Sequence, residues 1–140
     1  MKRALILGGL ALVLTAGAGA VWVRTAPHDP DRWHRMPADL TPRDTDNAAL
    51  RVVEGDAARF ARLDEIIRTT PRTRVLAGAP EDGMRSYVTR SAVMGFPDYT
   101  TVRLSDGELQ IYARSRFGRS DLGVNARRVD GWLEALRQGG

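Results

Sequence analysis

The stretch Glu108–Phe117, ELQIYARSRF, alternates apolar and polar residues and decides the fold class of this 140-residue chain. One face of an extended chain carries Leu109, Ile111, Ala113 and Phe117. The other face carries Gln110, Tyr112, Arg114 and Arg116. Because successive strand residues point to opposite faces, the alternation predicts a strand with one buried face, as in an antiparallel sheet. Ser105-Asp106-Gly107 precedes it as a hairpin turn signal.

Outward from this strand, the sequence predicts further strands at Leu50–Val53, Thr73–Ala79, Met84–Arg90 and Asp98–Leu104. A helix begins after the N-cap residue Asp56, with Phe60, Leu63 and Ile67 at helical spacing. Pro71 ends that helix, because the residue before a proline avoids helical geometry. A last helix covers about Asn125 to Arg137, with core-facing residues Val129, Trp132, Leu133 and Leu136.

The order β-α-β-β-β-β-α predicts an α+β fold. It has an antiparallel sheet of about four to five strands with two helices on one face. The other face of the sheet is left for solvent or a partner.

The N-terminus carries a possible membrane segment. Lys2 and Arg3 precede Ala4–Val23, twenty uncharged residues that as a helix span about 30 Å, the thickness of a bilayer core. The length and Trp22 favour a retained anchor. The small residues Ala16–Ala20 also fit a signal-peptide cleavage site, so both interpretations stay open. Either one places the rest of the chain across the membrane, since basic residues hold the N-terminus inside.

Three segments follow from this pattern: a membrane anchor or signal peptide over 1–24, a proline-rich linker over 25–49 and the α+β domain over 50–138. The linker is too poor in apolar periodicity to fold alone, and Trp33 is the residue in it that we expect to dock on the domain. Its prolines are Pro27, Pro30, Pro37 and Pro42.

Composition restricts the function classes. Lys2, Arg3 and Arg24 belong to the membrane segment, which leaves 18 basic against 17 acidic residues beyond it. Such a balance argues against nucleic-acid binding, which needs a concentrated basic surface. The chain has no cysteine, so neither a lipoprotein anchor nor a disulfide is available.

Three stretches carry a family resemblance: DPDRWH (Asp29–His34), GFPDYTTVR (Gly95–Arg103) and RFGRSDLGVNARRV (Arg116–Val129). With them the chain resembles the bacterial family named domain of unknown function 1499, over about Leu50 to Leu136. The resemblance implies an envelope setting and a fold, and an N-terminal membrane segment is common among its members. It implies no activity and no catalytic residue, because the family is uncharacterised.

The junction Gly118–Asn125, GRSDLGVN, is the first candidate surface. In a structural interpretation it caps the last helix, with Asn125 at the N-cap before Ala126 and with Asp121 or Ser120 closing an extra turn before it. In a functional one, the free N–H groups of the helix start receive an anionic ligand. The structural interpretation is favoured, and the candidate binding residues are Arg119, Ser120, Asp121, Asn125 and Arg127.

The sheet face away from the helices is the second candidate surface. We expect it to expose Tyr87, Tyr99, Tyr112, Arg85, Arg103 and Arg114. Tyrosine and arginine are enriched in binding surfaces, although tyrosine also suits an ordinary exposed strand. Tyr99, Tyr112 and Arg114 are kept as candidate binding residues.

Catalytic and metal chemistry find little support. Both histidines, His28 and His34, lie in the linker, so Ser120 has no base and a two-histidine metal site lacks rigid support. The spacing of Asp98, Asp106 and Asp121 matches no calcium loop. We therefore predict no catalytic residue, no metal and no cofactor.

The predicted function is a non-enzymatic binding or interaction domain of the bacterial envelope. It is either a single-pass inner-membrane protein facing the periplasm or a protein secreted there after cleavage. The expected partners are the membrane, through residues 1–24, and an envelope protein or lipid-like ligand. The alternative is a carrier that holds a small apolar or lipid-like ligand between the sheet and the C-terminal helix.

Overall fold

The computed structural model describes residues 1–139. Its helices are α1 (Lys2–Thr25), α2 (Pro30–Trp33), α3 (Ala57–Thr69) and α4 (Val124–Gln138). Its strands are β1 (Arg43–Asp44), β2 (Ala48–Glu54), β3 (Thr73–Ala79), β4 (Met84–Arg90), β5 (Pro97–Ser105) and β6 (Glu108–Ser115).

The strands form one antiparallel sheet in the order β1-β2-β6-β5-β4-β3. This confirms the predicted α+β class, with six strands rather than four to five. The extra strand is the two-residue β1, too short to leave a periodic signal. The stretch that decided the fold class, β6, lies inside the sheet between β2 and β5.

Local sequence signals explain where elements begin and end. The Asp56 carboxylate accepts the Arg59 N–H at 2.8 Å and caps α3. The helix ends at Thr69, and the C-cap residue Thr70 has the extended backbone expected before Pro71. In the β5–β6 turn, Asp106 and Gly107 have φ of 54° and 79°, the left-handed geometry that two-residue hairpins need.

The core lies between one face of the sheet and the helices α3 and α4. It contains Phe60, Leu63, Ile67, Tyr87, Val102, Leu109, Ile111, Ala113, Val129, Trp132, Leu133 and Leu136. Trp132 is 6% exposed, and its indole N–H donates to Thr70 Oγ1 at 2.8 Å. The four core-facing residues predicted for the last helix are confirmed, because α4 turns one apolar stripe to the sheet.

Helix α1 stands apart from this core. Residues Arg3–Thr25 are long and apolar enough to cross a membrane, with a mean hydropathy of 2.1 and none of that window buried in the protein. An N-terminal helix of this kind fits an anchor or a signal sequence.

Replacing Trp132 tests the packing of α4. We expect Trp132→Ala to lower the free energy of unfolding by about 3–5 kcal/mol, because it leaves a cavity between the two helices. Trp132→Phe, which keeps a ring but loses the bond to Thr70, should cost less. Urea unfolding of the full chain in detergent, followed by circular dichroism, measures both. An alanine variant as stable as wild type contradicts this packing.

Candidate functional site

The sheet face away from α3 and α4 is covered rather than open. Residues 26–36 of the predicted linker lie across it, and α2 brings Trp33 down onto the sheet. Pro30 at the start of α2 and the Asp29 carboxylate, which accepts the Asp31 N–H at 3.0 Å, fix this short turn. The expected docking of Trp33 is therefore confirmed. The prediction that the tyrosines and arginines of this face are exposed is wrong.

Trp33 stacks flat on Tyr99, with ring centroids 3.9 Å apart and planes 8° apart. Tyr99 is 0% exposed as a result, and Arg114 beside it is 6% exposed. Two of the candidate binding residues, Tyr99 and Arg114, are thus occupied by the chain itself. Tyr112 remains half-buried next to them.

The six tyrosines and arginines predicted to share the face away from the helices lie on both faces of the sheet, as the strand register shows. Arg103, Tyr112 and Arg114 share the covered face with Tyr99. Tyr87 and Arg85 lie on the helix face instead, where both contact the Asp64 carboxylate of α3 at 2.8 and 2.9 Å. Asp64 lies on the same helix face as the apolar residues Phe60 and Ile67. An acidic residue at such a position is the sequence signal that could have revealed this contact.

Arg114 is a buried cation satisfied by uncharged partners. Its guanidinium donates to Thr101 Oγ1 at 2.9 Å, to the Tyr112 carbonyl at 3.1 Å and to the Trp33 carbonyl. It also lies 4.6 Å from the centre of the Tyr112 ring. Burial lowers the pKa of Arg114 to about 10, so the group still carries its charge at neutral pH. Because a buried charge must be hydrogen-bonded, Arg114 depends on the Trp33 carbonyl.

Two more arginines hold the segment that joins α1 to the sheet. Arg90 donates to the Arg24 carbonyl at 3.0 Å and to the Val23 carbonyl at 3.4 Å, at the end of α1. Cations near the last carbonyls stabilise a helix C-terminus. Arg116 donates to the Pro27 carbonyl at 2.9 Å. The residues Arg90, Arg114 and Arg116, called here the arginine clamp, therefore fix the segment 23–33.

The histidines take part in this docking. His28 Nδ1 lies 2.7 Å from the Tyr99 hydroxyl and Nε2 lies 2.8 Å from Arg90. Since Arg90 can only donate, Nε2 is the unprotonated nitrogen and Nδ1–H donates to Tyr99. Burial, followed by the charges of Arg74, Arg90 and Arg116, lowers the pKa of His28 to about 4.

His34 binds a different part of the sheet, with Nδ1 2.9 Å from Ser86 Oγ. Its ring lies against Gly78, where a Cβ would come within 2.8 Å of His34 Cε1. Burial and the charge of Arg114 lower the pKa of His34. Among the described residues, no three histidine or carboxylate side chains converge on a metal-sized site.

A basic pocket of about 550 Å³ opens between the end of α1 and the strands β3 and β4. None of its eight lining residues is acidic. Four of them are arginines, namely Arg24, Arg72, Arg74 and Arg90. A neighbouring pocket of about 380 Å³ shares three of these arginines and reaches His28. The sequence prediction missed this cluster, although Arg72 and Arg74 already had the alternating spacing of a strand.

The junction Gly118–Asn125 is built from its own hydrogen bonds. The Asp121 carboxylate accepts the N–H groups of Gly123 at 2.8 Å and Asn125 at 3.0 Å, and the Asn125 side-chain amide at 2.8 Å. Asn125 is 0% exposed and also donates to Ser115 Oγ at 3.0 Å. The prediction of Asn125 as the N-cap is wrong: α4 begins at Val124, and Asp121 receives the free N–H groups.

The other candidates at this junction lie at its surface. Ser120 Oγ accepts the Leu122 N–H at 3.1 Å. Arg127 donates to the Leu122 carbonyl at 2.9 Å, while Arg119 is exposed. A binding role for these residues stays a prediction.

Comparison with known proteins adds a family. The family model described as "Protein of unknown function (DUF1499)" matches residues 22–136. No curated protein matches the chain. A solved structure of a DUF4468 family protein from Bacteroides ovatus ATCC 8483 is 11% identical, with a TM-score of 0.35 over 63% of each chain.

Asp121→Ala tests the structural interpretation of the junction. We expect a loss of about 1–3 kcal/mol in the free energy of unfolding, because the start of α4 loses its acceptor. Ser120→Ala, which removes one exposed bond, serves as the matched control and should cost less.

Burial alone would raise the pKa of Asp121, but the bonds from Asn125 and Gly123 hold it below its usual value. Its contribution should therefore persist at neutral pH and disappear only in acid. An Asp121→Ala variant as stable as wild type contradicts this role.

His28 should make stability depend on pH. Its pKa is lowered from 6.5 to about 4. Between these two pH values His28 is protonated in the unfolded chain and neutral in the folded protein. The contribution of His28 to stability is complete above its pKa in the unfolded chain. It declines as the pH falls toward its pKa in the folded chain. We expect the urea midpoint to decrease between about pH 7.5 and pH 5, and His28→Gln to reduce that decrease. Equal pH dependence in both proteins would rule out this linkage.

Proposed function

The chain belongs to the DUF1499 family, whose function is unknown, and we propose that it is a membrane-tethered binding module of the bacterial envelope that recognises an anionic group. The observation that carries this proposal is the pocket lined by Arg24, Arg72, Arg74 and Arg90. The ligand chemistry is phosphate-like, as in a lipid headgroup or a free phosphate.

The pocket has the chemistry that an anion requires. Arg24, Arg72 and Arg74 are exposed. Arg24 and Arg72 donate to the backbone carbonyls of Val93 and Arg90, and their remaining N–H groups can bind a ligand. Charge-assisted hydrogen bonds from arginine to phosphate oxygens are strong and often bidentate. Burial is the largest cause of the low pKa of His28, and the charges of Arg74 and Arg90 lower it further; a bound anion would offset those two charges.

Position connects the pocket with the membrane. Arg24 belongs to the last turn of α1, and the pocket opens beside that turn. If α1 is retained as an anchor, the four arginines lie at the level of the lipid headgroups. The basic residues Lys2 and Arg3 favour an orientation with the domain on the periplasmic side.

The packing of the core favours this module over the carrier hypothesis. The space between the sheet and α4 is filled by large side chains, among them Phe60, Leu109 and Trp132, all at most 6% exposed. A ligand between the sheet and α4 would have to displace them at a cost of several kcal/mol.

Replacing Arg72 and Arg74 tests the anion site. We expect the double variant Arg72→Gln/Arg74→Gln to weaken binding of an anionic ligand by about fivefold for each arginine removed, since each contributes about 1 kcal/mol near an anionic surface. The matched control is Arg59→Gln, an exposed arginine of α3 on the other side of the sheet.

Two arms separate the possible sources of the anion. In the first, full chain in phosphatidylcholine nanodiscs is titrated calorimetrically with glycerol phosphate. In the second, native mass spectrometry counts phosphatidylglycerol against phosphatidylcholine retained by the detergent-extracted chain. Binding in the first arm alone indicates a free anion, and lipid preference in the second indicates a headgroup. The proposal is overturned if the wild-type chain neither binds glycerol phosphate nor retains phosphatidylglycerol preferentially. It is also overturned if the double variant binds the anion as tightly as wild type.

A further inference from the structure

Two loops beside the end of α1 expose apolar side chains. The loop 91–96 presents Val93, 82% exposed, with Met94 and Phe96. The junction before α4 presents Leu122, also 82% exposed, with Val124. These five residues and Phe117, which lies between the two loops, are called here the apolar loop patch.

Folding does not account for this patch. The loop 91–96 is ordered by its own bonds, with Phe96 N–H donating to Ser91 Oγ at 3.0 Å and Gly95 N–H to the Ser91 carbonyl at 3.2 Å. Its tip, Val93, buries almost nothing. Leu122 has a φ of 53°, a left-handed conformation that is unfavourable for leucine and gains no burial in return.

The patch is continuous with the surface of α1. The Trp22 ring meets Phe117 edge-on at 5.3 Å, and Phe117 lies 6.2 Å from Phe96. Arg24 donates to the Val93 carbonyl at 3.3 Å. An apolar surface therefore runs from Trp22 through Phe117 to Phe96, and Phe117 lines one cleft together with Leu122 and Val124.

Cationic residues border the same surface. Arg116 lies 6.0 Å from the Trp22 ring centre and 5.1 Å from that of Phe117. Arg127 donates to the Leu122 carbonyl at 2.9 Å, and both Arg119 and Arg127 are exposed. Apolar tips surrounded by arginines and tryptophan are typical of protein surfaces that insert into the boundary between headgroups and acyl chains.

We propose that the apolar loop patch docks the domain on the surface of the lipid bilayer that α1 enters. Val93, Met94 and Leu122 insert below the headgroups, and the exposed Arg119 and Arg127 contact lipid phosphates. This inference rests on the membrane tether of the proposed function but not on its anion pocket. Docking fixes the domain at the membrane with the arginine pocket at headgroup level.

Single-cysteine probes test the docking, since the chain has no cysteine of its own. Val93→Cys and Leu122→Cys, each labelled with an environment-sensitive fluorophore, are reconstituted as full chain in neutral phosphatidylcholine vesicles. A lipid brominated near the top of its acyl chains is the quencher. We expect both probes to be quenched, because interfacial apolar groups lie about 5–10 Å deep.

The matched control is Glu108→Cys, an exposed position at the opposite end of β6, about 24 Å away along the eight-residue strand. It should not be quenched. A probe at Leu14→Cys, within α1, tests the tether separately and should be quenched by deeper bromines.

The outcomes are distinct. If the Leu14 probe is quenched and the Val93 and Leu122 probes are not, docking is wrong while the tether stands, and that exposed patch would suit a protein partner instead. An unquenched Leu14 probe overturns the tether and docking together. Because these vesicles are neutral, none of these results depends on the anion pocket.

Discussion

The burial of the Arg114 guanidinium is the constraint on which the rest of the structure depends. A cation inside a sheet face is tolerated only when its hydrogen bonds are satisfied, and here one acceptor, the Trp33 carbonyl, comes from outside the sheet. The stacking of Trp33 on Tyr99 places that carbonyl. A segment too polar to fold alone is thereby ordered by the domain, and the sheet has helices on one face and this segment on the other.

Ordering the segment also determines where α1 lies. Arg90 contacts the last carbonyls of α1 and Arg116 holds Pro27, so the apolar helix is joined to the sheet by a short, fixed connection instead of a flexible linker. Two surfaces follow from this geometry. The arginines around Arg24 and Arg74 form a basic pocket beside the helix end, and Phe117 extends the apolar surface of Trp22 onto the neighbouring loops. Both proposals, anion recognition and bilayer docking, require this alignment.

Local and periodic features could be predicted from the sequence. The alternation in β6, the Asp56 cap and the apolar stripe around Trp132 each depend on nearby residues alone, and the structure confirms them. The candidate sites were harder to predict, because they depend on strand register and long-range contact. A one-residue change of register moves a side chain to the other face, so the sequence pattern alone does not determine which face of the sheet carries Tyr87. The covering of Tyr99 required a contact between positions 33 and 99, and no local pattern contains it.

The contact between Trp33 and Tyr99 is the most direct test of this account. In a nuclear magnetic resonance spectrum of the full chain in micelles, we expect nuclear Overhauser effects between the two rings, whose centroids are 3.9 Å apart. We also expect backbone order for residues 26–36 similar to that of β5. Absence of these cross-peaks, together with fast internal motion of residues 26–36, would show that the segment is a free linker and would contradict the alignment of α1 with the sheet.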